Sequence, residues 1–290
     1  MIKTHLFLTA VVFLLLADDH SVAAQDRSYS DALVFFAGFD GQFDADTGSD
    51  PTFRTAETLK RETVRDGNHS QVVAVASDAG RFGDALRFTA VSKQVVLFDG
   101  SNLGYRDSDW SCTVAFWLKL DPDKDLDPGF CDPLQITNQA WNDSAMWVDF
   151  DKTLPRDFRM GVFPPLKRWN PENTPWDEVP DNRRPLVTVH HPPFSADRWT
   201  HVVMTFAGLN GENDAPAKSS LYLNGVRQGT LTRPTHIDWS DGQAAMMLGI
   251  NYIGDLDELA VFQTALSEQQ VRSLYELPQG IRSLLQESGK

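Results

Sequence analysis

The sequence is short of cysteine, of basic residues and of long apolar runs. Its two cysteines, Cys112 and Cys131, are too few for a zinc-binding motif. Lys and Arg number 26 against 40 Asp and Glu, which gives a formal net charge of −14. This excess of negative charge argues against nucleic acid as a partner. After residue 24, no run is long and apolar enough to span a bilayer.

Motifs that identify common catalytic sites are also missing. The chain has no Gly-x-Ser-x-Gly elbow, no His-Glu-x-x-His pair and no phosphate-binding loop. The sequence alone therefore assigns no reaction to this protein, and a non-catalytic role is favoured.

The first 24 residues have the pattern of a secretory signal peptide. Basic Lys3 precedes an apolar run from Leu6 to Leu16, and the small residues of Ser21–Ala24 suit a cleavage site. The apolar run is shorter than the roughly 20 residues of a membrane-spanning helix. We therefore expect export, to the medium, the periplasm or the cell envelope, with residues 25–290 as one mature domain.

The two cysteines leave two interpretations open. Export would place them in an oxidising compartment, where a disulfide between Cys112 and Cys131 can form. Alternatively both thiols stay free, because Cys112 lies in an apolar segment where a free cysteine packs well.

Most of the chain is predicted to form short strands separated by Gly, Pro and Asx turns. Asn224-Gly225 is a strong signal for a type I′ hairpin. Residues 41–80 and 163–195 are less regular, and the second of these is rich in proline. The pattern predicts an all-β fold, an antiparallel β-sandwich. The predicted strands lie within 32–41, 82–88, 112–120, 145–150, 158–162, 199–206, 220–229, 246–250 and 256–262.

The C-terminal run from Ile250 to Tyr275 carries the clearest pattern in the chain. Apolar and polar residues alternate through Leu256–Phe262, which predicts a strand with one buried face. Ser267 then suits a helix N-cap, and Gln270 can complete a capping box. The sequence therefore predicts a closing strand followed by a short C-terminal helix.

Four stretches together resemble the laminin-G-like, concanavalin A-like jelly-roll domains of exported, bacterial proteins. They are Phe39-Asp40-Gly41, the segment 80–88, the segment 198–206 with 221–225, and the closing run from Gly254 to Ser267. The resemblance implies a jelly roll. Members of this family include carbohydrate-binding modules, adhesion domains, lectins and glycoside hydrolases, so the fold does not select a function among them.

The resemblance also implies a structural calcium ion. In related jelly rolls an ion often ties the first strand to the last, and Asp40, Gly41 and Asp257 occupy the matching positions. Carboxylate and carbonyl oxygens are the ligands that calcium prefers. The residues themselves leave another interpretation open, in which Asp40 is a turn residue and Asp257 hydrogen-bonds to backbone.

Alternation locates a candidate ligand face. In segment 145–150, Met146, Val148 and Phe150 point one way, so Trp147 and Asp149 point the other way. The same rule places Arg159 opposite its apolar neighbours. If their strands are adjacent, His201 and Tyr222 join this face, and Trp141, Trp169 and Trp176 border it from loops.

Aromatic rings among charged groups can bind sugars by stacking and hydrogen bonding. We therefore expect an exported binding domain for carbohydrate or a surface glycoconjugate, acting through the concave sheet face. A polysaccharide hydrolase or lyase is one alternative, although the Glu-x-Asp-x-x-Glu pattern typical of jelly-roll glycosidases is missing. A structural or adhesive protein is another, in which the proline-rich loop docks a partner.

Overall fold

The computed structural model describes residues 29–239 and 244–287. The predicted signal peptide, residues 1–24, lies outside the described residues. Within the described part, the chain forms two antiparallel β-sheets of eight strands each, packed face to face as a sandwich.

The described elements begin and end as follows. The strands are β1 (Leu33–Ala37), β2 (Arg54–Ala56), β3 (Val64–Asp66), β4 (Val73–Ala76), β5 (Ala85–Phe88), β6 (Val95–Asp99), β7 (Trp110–Lys119), β8 (Cys131–Thr137), β9 (Ala145–Phe150), β10 (Phe158–Phe163), β11 (Leu186–Val189), β12 (Thr200–Leu209), β13 (Pro216–Leu223), β14 (Val226–Pro234), β15 (Ala245–Ile250) and β16 (Gly254–Phe262). The α-helices are α1 (Pro122–Asp125), α2 (Leu166–Trp169), α3 (Glu268–Tyr275) and α4 (Arg282–Glu287).

Sheet 1 has the strand order β14-β13-β12-β7-β16-β5-β4, and β1 pairs with β16 in addition. Sheet 2 has the order β11-β10-β9-β8-β15-β6-β2-β3. Neighbouring strands such as β16 and β5 come from distant parts of the chain, and every pairing is antiparallel. The predicted all-β antiparallel sandwich with a short C-terminal helix is confirmed.

Local signals position two of these elements as predicted. Asn224 and Gly225 join β13 to β14 with φ angles of 51° and 75°, the positive values that a type I′ turn requires. At α3, the Gln270 backbone N–H donates to the Ser267 hydroxyl at 3.3 Å, and the Ser267 N–H donates to the Gln270 side chain at 2.9 Å. This reciprocal pair is a capping box.

Short strands in the irregular regions were not predicted. β2, β3 and β4 fall within residues 41–80, and β11 falls within 163–195. These strands have three or four residues each, and β3 is exposed throughout. Such a strand carries no hydrophobic alternation for a sequence pattern to reveal.

The core lies between the two sheets and is built by the period-two alternation of their strands. Both cysteines belong to this core, Cys112 from sheet 1 and Cys131 from sheet 2, and both are free. Burial raises the pKa of the Cys131 thiol to about 11. The structure thus agrees with the interpretation in which both thiols stay free, and Cys112 and Cys131 form no disulfide.

The outer face of sheet 1 is covered by the C-terminal helices. Apolar side chains of β12 and β13 contact Val271 and Leu274 of α3, and Leu284 of α4 belongs to the same cluster. This apolar covering buries the part of the outer face of sheet 1 that lies beneath the helices, whereas Arg87 and Lys119 stay partly exposed on the same face.

We expect Leu274→Ala to lower the free energy of unfolding by about 2–4 kcal/mol, because it opens a cavity beneath α3. Leu274 is buried and packs in the cluster under the helix. Urea unfolding followed by circular dichroism measures the loss. Arg272→Ala on the same helix is the matched control, since its ion pair with Glu276 is exposed, and it should change stability by less than about 0.5 kcal/mol. Equal losses in the two variants would contradict this account of the covering.

Candidate functional site

The candidate site lies on the outer face of sheet 2, where β8, β9 and β10 run side by side. Gln135 and Gly161 flank Trp147 on the neighbouring strands, and Asp149 is paired with Arg159. Met146, Val148 and Phe150 point into the core, as do the apolar residues that alternate with Arg159. The alternation prediction for β9 and β10 is confirmed.

These side chains line a cavity of about 380 Å³. Trp141 and Trp176 close it from the loops, and Ile250 and Asn251 reach it from the end of β15. The structure thus brings five of the predicted ligand-binding residues together. The full lining is Leu59, Phe130, Asp132, Gln135, Trp141, Trp147, Asp149, Lys152, Arg159, Trp176, Asp177, Ile250 and Asn251.

The aromatic wall of the cavity has a buried layer and an exposed layer. Trp147 is only 3% exposed and stacks on Phe163, with ring centroids 5.4 Å apart. Its indole N–H donates to the Trp141 carbonyl at 2.7 Å. A Cβ on Gly161 would lie 2.4 Å from the Trp147 ring, so glycine makes room for the indole. Trp141 is 38% exposed, so Trp141 forms the exposed layer of the wall and Trp147 forms the buried layer.

The polar floor of the cavity is an ion pair across β9 and β10. Arg159 Nε donates to Asp149 Oδ1 at 2.8 Å, and Nη2 donates to Oδ2. The guanidinium also lies 4.9 Å from the centre of the Phe130 ring. Two parallel hydrogen bonds and an aromatic face fix both charged groups in one orientation.

A second carboxyl group, Asp132, lies in the same cavity. Burial, and then the charge of Asp149, raise the pKa of Asp132 well above its usual range, whereas the charge of Arg159 opposes the rise. Burial also raises the pKa of Asp149, against the opposing effect of its bond to Arg159. The cavity therefore holds one carboxylate clamped by a guanidinium and one carboxyl group that protonates more readily than an exposed aspartate.

The proline-rich segment 163–195 packs against this face of sheet 2. The indole N–H of Trp169 donates to the Asn142 carbonyl at 2.8 Å. The guanidinium of Arg184 lies 4.7 Å from the Trp176 ring and donates to the Trp176 carbonyl at 3.0 Å. Trp176 forms part of the cavity wall, and Trp169 packs behind it on Phe163.

His201 and Tyr222 do not join this site, and the prediction that grouped them with Trp147 is wrong. They lie on β12 and β13 of sheet 1, beneath α3. The His201 ring is 4.6 Å from that of Trp117 and 6.0 Å from that of Tyr275, between centroids. Alternation gives the face of a strand but not the sheet to which the strand belongs, which is why the grouping failed.

Several lining residues were missed by sequence reasoning. Alternation in β8 places Leu134 and Ile136 in the core, and the same rule applied there would have found Gln135. Ile250 and Asn251 carry no such signal, because only the pairing of β15 with β8 brings them to the cavity.

The three residues predicted to hold calcium meet around the loop of residues 80–84. Asp40 Oδ1 accepts the Asp84 N–H at 2.9 Å, and the Gly41 N–H donates to Asp84 Oδ2 at the same distance. Asp257 is buried on β16 and accepts the Phe82 N–H at 3.0 Å. The loop therefore bridges Asp40 and Asp257.

One protein cation, Arg282, already pairs with two of the carboxylates near this loop. Arg282 Nη2 pairs with Asp40 Oδ2 at 2.7 Å, and Nη1 pairs with Asp46 Oδ1 at 2.9 Å. Burial raises the pKa of Asp257 to about 7, against the effect of its backbone hydrogen bonds. In residues 29–239 and 244–287, no group of three or more Asp, Glu, His or Cys side chains is placed to hold a metal ion. As arranged, these donors do not fit calcium, which takes about six to eight oxygen ligands.

We expect neither millimolar calcium nor EDTA to change the melting temperature of the purified chain, because Arg282 already neutralises Asp40. An ion that binds only the folded chain would raise the melting temperature. If calcium instead raised the melting temperature, and if EDTA reversed the rise and Asp257→Asn removed it, that result would contradict this expectation and support the calcium site.

A buried histidine makes the stability of sheet 1 depend on pH. His201 is 1% exposed, and neither ring nitrogen has a hydrogen-bond partner in the described part of the chain. Burial, and then the charge of Arg81, lower the pKa of His201 from 6.5 to about 3. Between these two values the unfolded chain binds a proton that the folded chain does not, so stability falls as pH falls from 6.5 towards 3.

His201→Phe should remove this loss. At pH 7.5 we expect the variant to be at least as stable as the wild type, because a phenyl ring leaves no unpaired nitrogen under α3. Below pH 6.5 its advantage should grow by about 1.4 kcal/mol for each pH unit. Urea unfolding of both proteins at pH 7.5, 5.5 and 4.5 measures the difference, with pH 7.5 as the internal reference. A constant difference across this range would rule out the proposed titration.

A family model described as the concanavalin A-like lectin/glucanases superfamily matches residues 92–272. A comparison with curated protein sequences finds no match. Among the helices that the structure describes, none has the length and apolar composition needed to cross a membrane.

Solved structures with a similar fold include binding domains of clostridial toxins. The binding domain of Paraclostridial Mosquitocidal Protein 1 has 16% sequence identity and a TM-score of 0.51, over 85% of this chain and 52% of that one. The binding domain of botulinum neurotoxin DC in complex with SialylT has 13% identity and a TM-score of 0.52, over 86% of this chain and 52% of that one. The chain thus spans about half the length of these toxin domains.

Another solved structure is domain 4 of AbnA, an extracellular arabinanase from Geobacillus stearothermophilus, in complex with arabinotriose. It is 18% identical, with a TM-score of 0.49, over 83% of this chain and 97% of that one. Likeness at such low identity concerns the fold alone. The family model, in contrast, covers more than half of the chain. This chain therefore belongs to the concanavalin A-like lectin/glucanases superfamily.

Proposed function

We propose that this chain is an exported, non-catalytic domain that binds carbohydrate in the aromatic cavity on the outer face of sheet 2. The observation that carries the proposal is the exposed Trp141 ring, which stands beside the clamped pair of Asp149 and Arg159 in one cavity. A sugar ring presents both an apolar face and hydroxyl groups, and such a cavity serves both.

Each part of the cavity has a role in this proposal. The apolar face of a sugar packs on the Trp141 indole, which Trp147 and Phe163 hold from behind. Sugar hydroxyls hydrogen-bond to the exposed Lys152 and Asn251, and the nearly buried pair of Asp149 and Arg159 forms the floor beneath them. Because Arg159 fixes Asp149 before the ligand arrives, little conformational entropy is lost there on binding.

The structural comparisons support this proposal through the fold. The binding domain of botulinum neurotoxin DC, solved in complex with SialylT, has the same sandwich architecture at a TM-score of 0.52. The fold is therefore one in which a binding domain of another protein holds a ligand, and the ligand of this chain is argued from its own cavity.

Glycoside hydrolysis is the second candidate function, and one observation favours it. Asp132 and Asp149 share a cavity, and the pKa of each is raised by burial. An acid and a nucleophile or base need two carboxyl groups in different environments, and here Asp149 is paired with Arg159, whereas Asp132 has no ion pair among the described residues. The adhesive alternative predicts no sugar binding at all, so the same experiment separates the three.

We expect Trp141→Ala to weaken sugar binding by about tenfold, which corresponds to about 1.4 kcal/mol, because it removes the stacking surface. Calorimetry against a panel of neutral and acidic oligosaccharides measures the affinity. Trp199→Ala, which replaces a half-buried tryptophan outside the cavity, is the matched control and should leave affinity unchanged. Trp141 is a sharper test than Trp147, because truncation of the buried Trp147 would also disturb packing.

Three outcomes would change the proposal. Equal affinity of Trp141→Ala and the wild type would remove this cavity from consideration. The absence of any sugar bound by the wild type would favour the adhesive alternative. Release of new reducing ends during the incubation, lost in Asp132→Asn, would favour the hydrolase.

A further inference from the structure

A second cavity, of about 720 Å³, lies on the other side of the proline-rich segment. We call it the basic cavity, because Arg168, Arg183, Arg233 and His236 line it and Asp214 is its only acidic lining residue among those described. The segment 163–195 supplies walls to both cavities, with Trp176 facing the aromatic one and Trp169 the basic one.

Among the described residues, the cations that line the basic cavity outnumber the acidic side chains that line it. Asp214 is shared between Arg168, at 3.5 Å, and His236 Nε2, at 3.0 Å. Within the described residues, Arg183 and Arg233 pair with no carboxylate. In a chain with a formal net charge of −14, this cluster of guanidinium groups concentrates positive potential in one concave place.

Arg233 is less exposed than Arg168 and Arg183. It lies on β14, is half-buried, and has one weak hydrogen bond, from Nη1 to the Arg183 carbonyl at 3.4 Å. Burial lowers the pKa of Arg233, and among the residues that the structure describes no acid offsets this effect. Most of its donors therefore remain available, and an anionic group in the cavity would both accept their hydrogen bonds and compensate the buried charge.

We propose that the basic cavity binds the sulfate or carboxylate groups of an acidic polysaccharide. This inference rests on the proposed function for the carbohydrate nature of the ligand, and on the basic cavity for its charge. Guanidinium groups match planar carboxylates and the oxygens of sulfate through paired hydrogen bonds. The indole of Trp169, in the same lining, offers a surface for the sugar that carries the acidic group.

The test compares two probes that differ only in charge, a short dextran sulfate and unsulfated dextran of the same length. A tetragalacturonate probe is added to separate carboxylate from sulfate recognition. We expect the wild type to bind at least one acidic probe about tenfold or more tighter than unsulfated dextran at 50 mM NaCl, and the advantage to shrink at 200 mM NaCl.

The double variant Arg183→Gln/Arg233→Gln should lose that advantage. Arg65→Gln/Arg227→Gln is the matched control, because it removes the same two charges at exposed positions outside the cavity, and it should keep most of the advantage. Thermal unfolding of both double variants verifies that they are folded.

The results also separate this inference from the proposed function. An equal loss in both double variants would mean that net charge alone acts, and would overturn the basic cavity as a site. Binding of unsulfated dextran that depends on Trp141, with no gain from either acidic group, would overturn the inference and leave the proposed function intact. Tighter binding of a single-stranded DNA oligonucleotide than of either acidic probe would overturn the assignment to polysaccharide.

Discussion

The pairing of β16 with three other strands is the interaction on which the rest of the structure depends. β16 contacts β7 along one edge, and on the other edge it pairs first with β5 and then with β1. A strand near the C-terminus is therefore placed in the middle of sheet 1, and the chain leaves it directly into α3. Because α3 then returns across the outer face of sheet 1, it covers part of that face, whereas the outer face of sheet 2 carries the aromatic cavity.

The outer face of sheet 2 is covered by loops and by the proline-rich segment instead of by the C-terminal helices. This face carries the large aromatic residues Trp147 and Phe163, and the loops and the proline-rich segment bury both. Trp141 stays 38% exposed above them, and the pair of Asp149 and Arg159 lies nearly buried beside it. Burying an ion pair costs desolvation that its attraction only partly offsets, and the two parallel hydrogen bonds between Asp149 and Arg159 reduce that cost. The pair is thus better explained by a need for fixed polar groups at this place than by a contribution to stability.

The sequence allowed the fold to be predicted more fully than the site. Alternation in β9 and β10, the Asn224-Gly225 turn and the Ser267 cap are local signals, and each appears in the structure where it was expected. Which strands lie side by side is set by pairing between distant segments, for which a single sequence has no local signal. This is why Trp147, Asp149 and Arg159 were correctly placed together, whereas His201 was assigned to the wrong sheet and the arginines of the basic cavity were not grouped at all.

Buried ionisable groups in sheet 1 act on stability in opposite directions. His201 favours the folded state at higher pH, because its folded form stays neutral down to a pKa of about 3. Glu258 accepts the Ile281 N–H at 2.6 Å, and burial raises its pKa to about 8. Between its ordinary pKa and that value the folded chain holds a proton that the unfolded chain releases, so stability falls as pH rises through this window. The two windows overlap between about pH 4.5 and 6.5, where a fall in pH weakens one contribution while it strengthens the other. Since Glu258 connects β16 to the segment that leads into α4, and His201 packs beneath α3, both effects act on the attachment of the C-terminal helices.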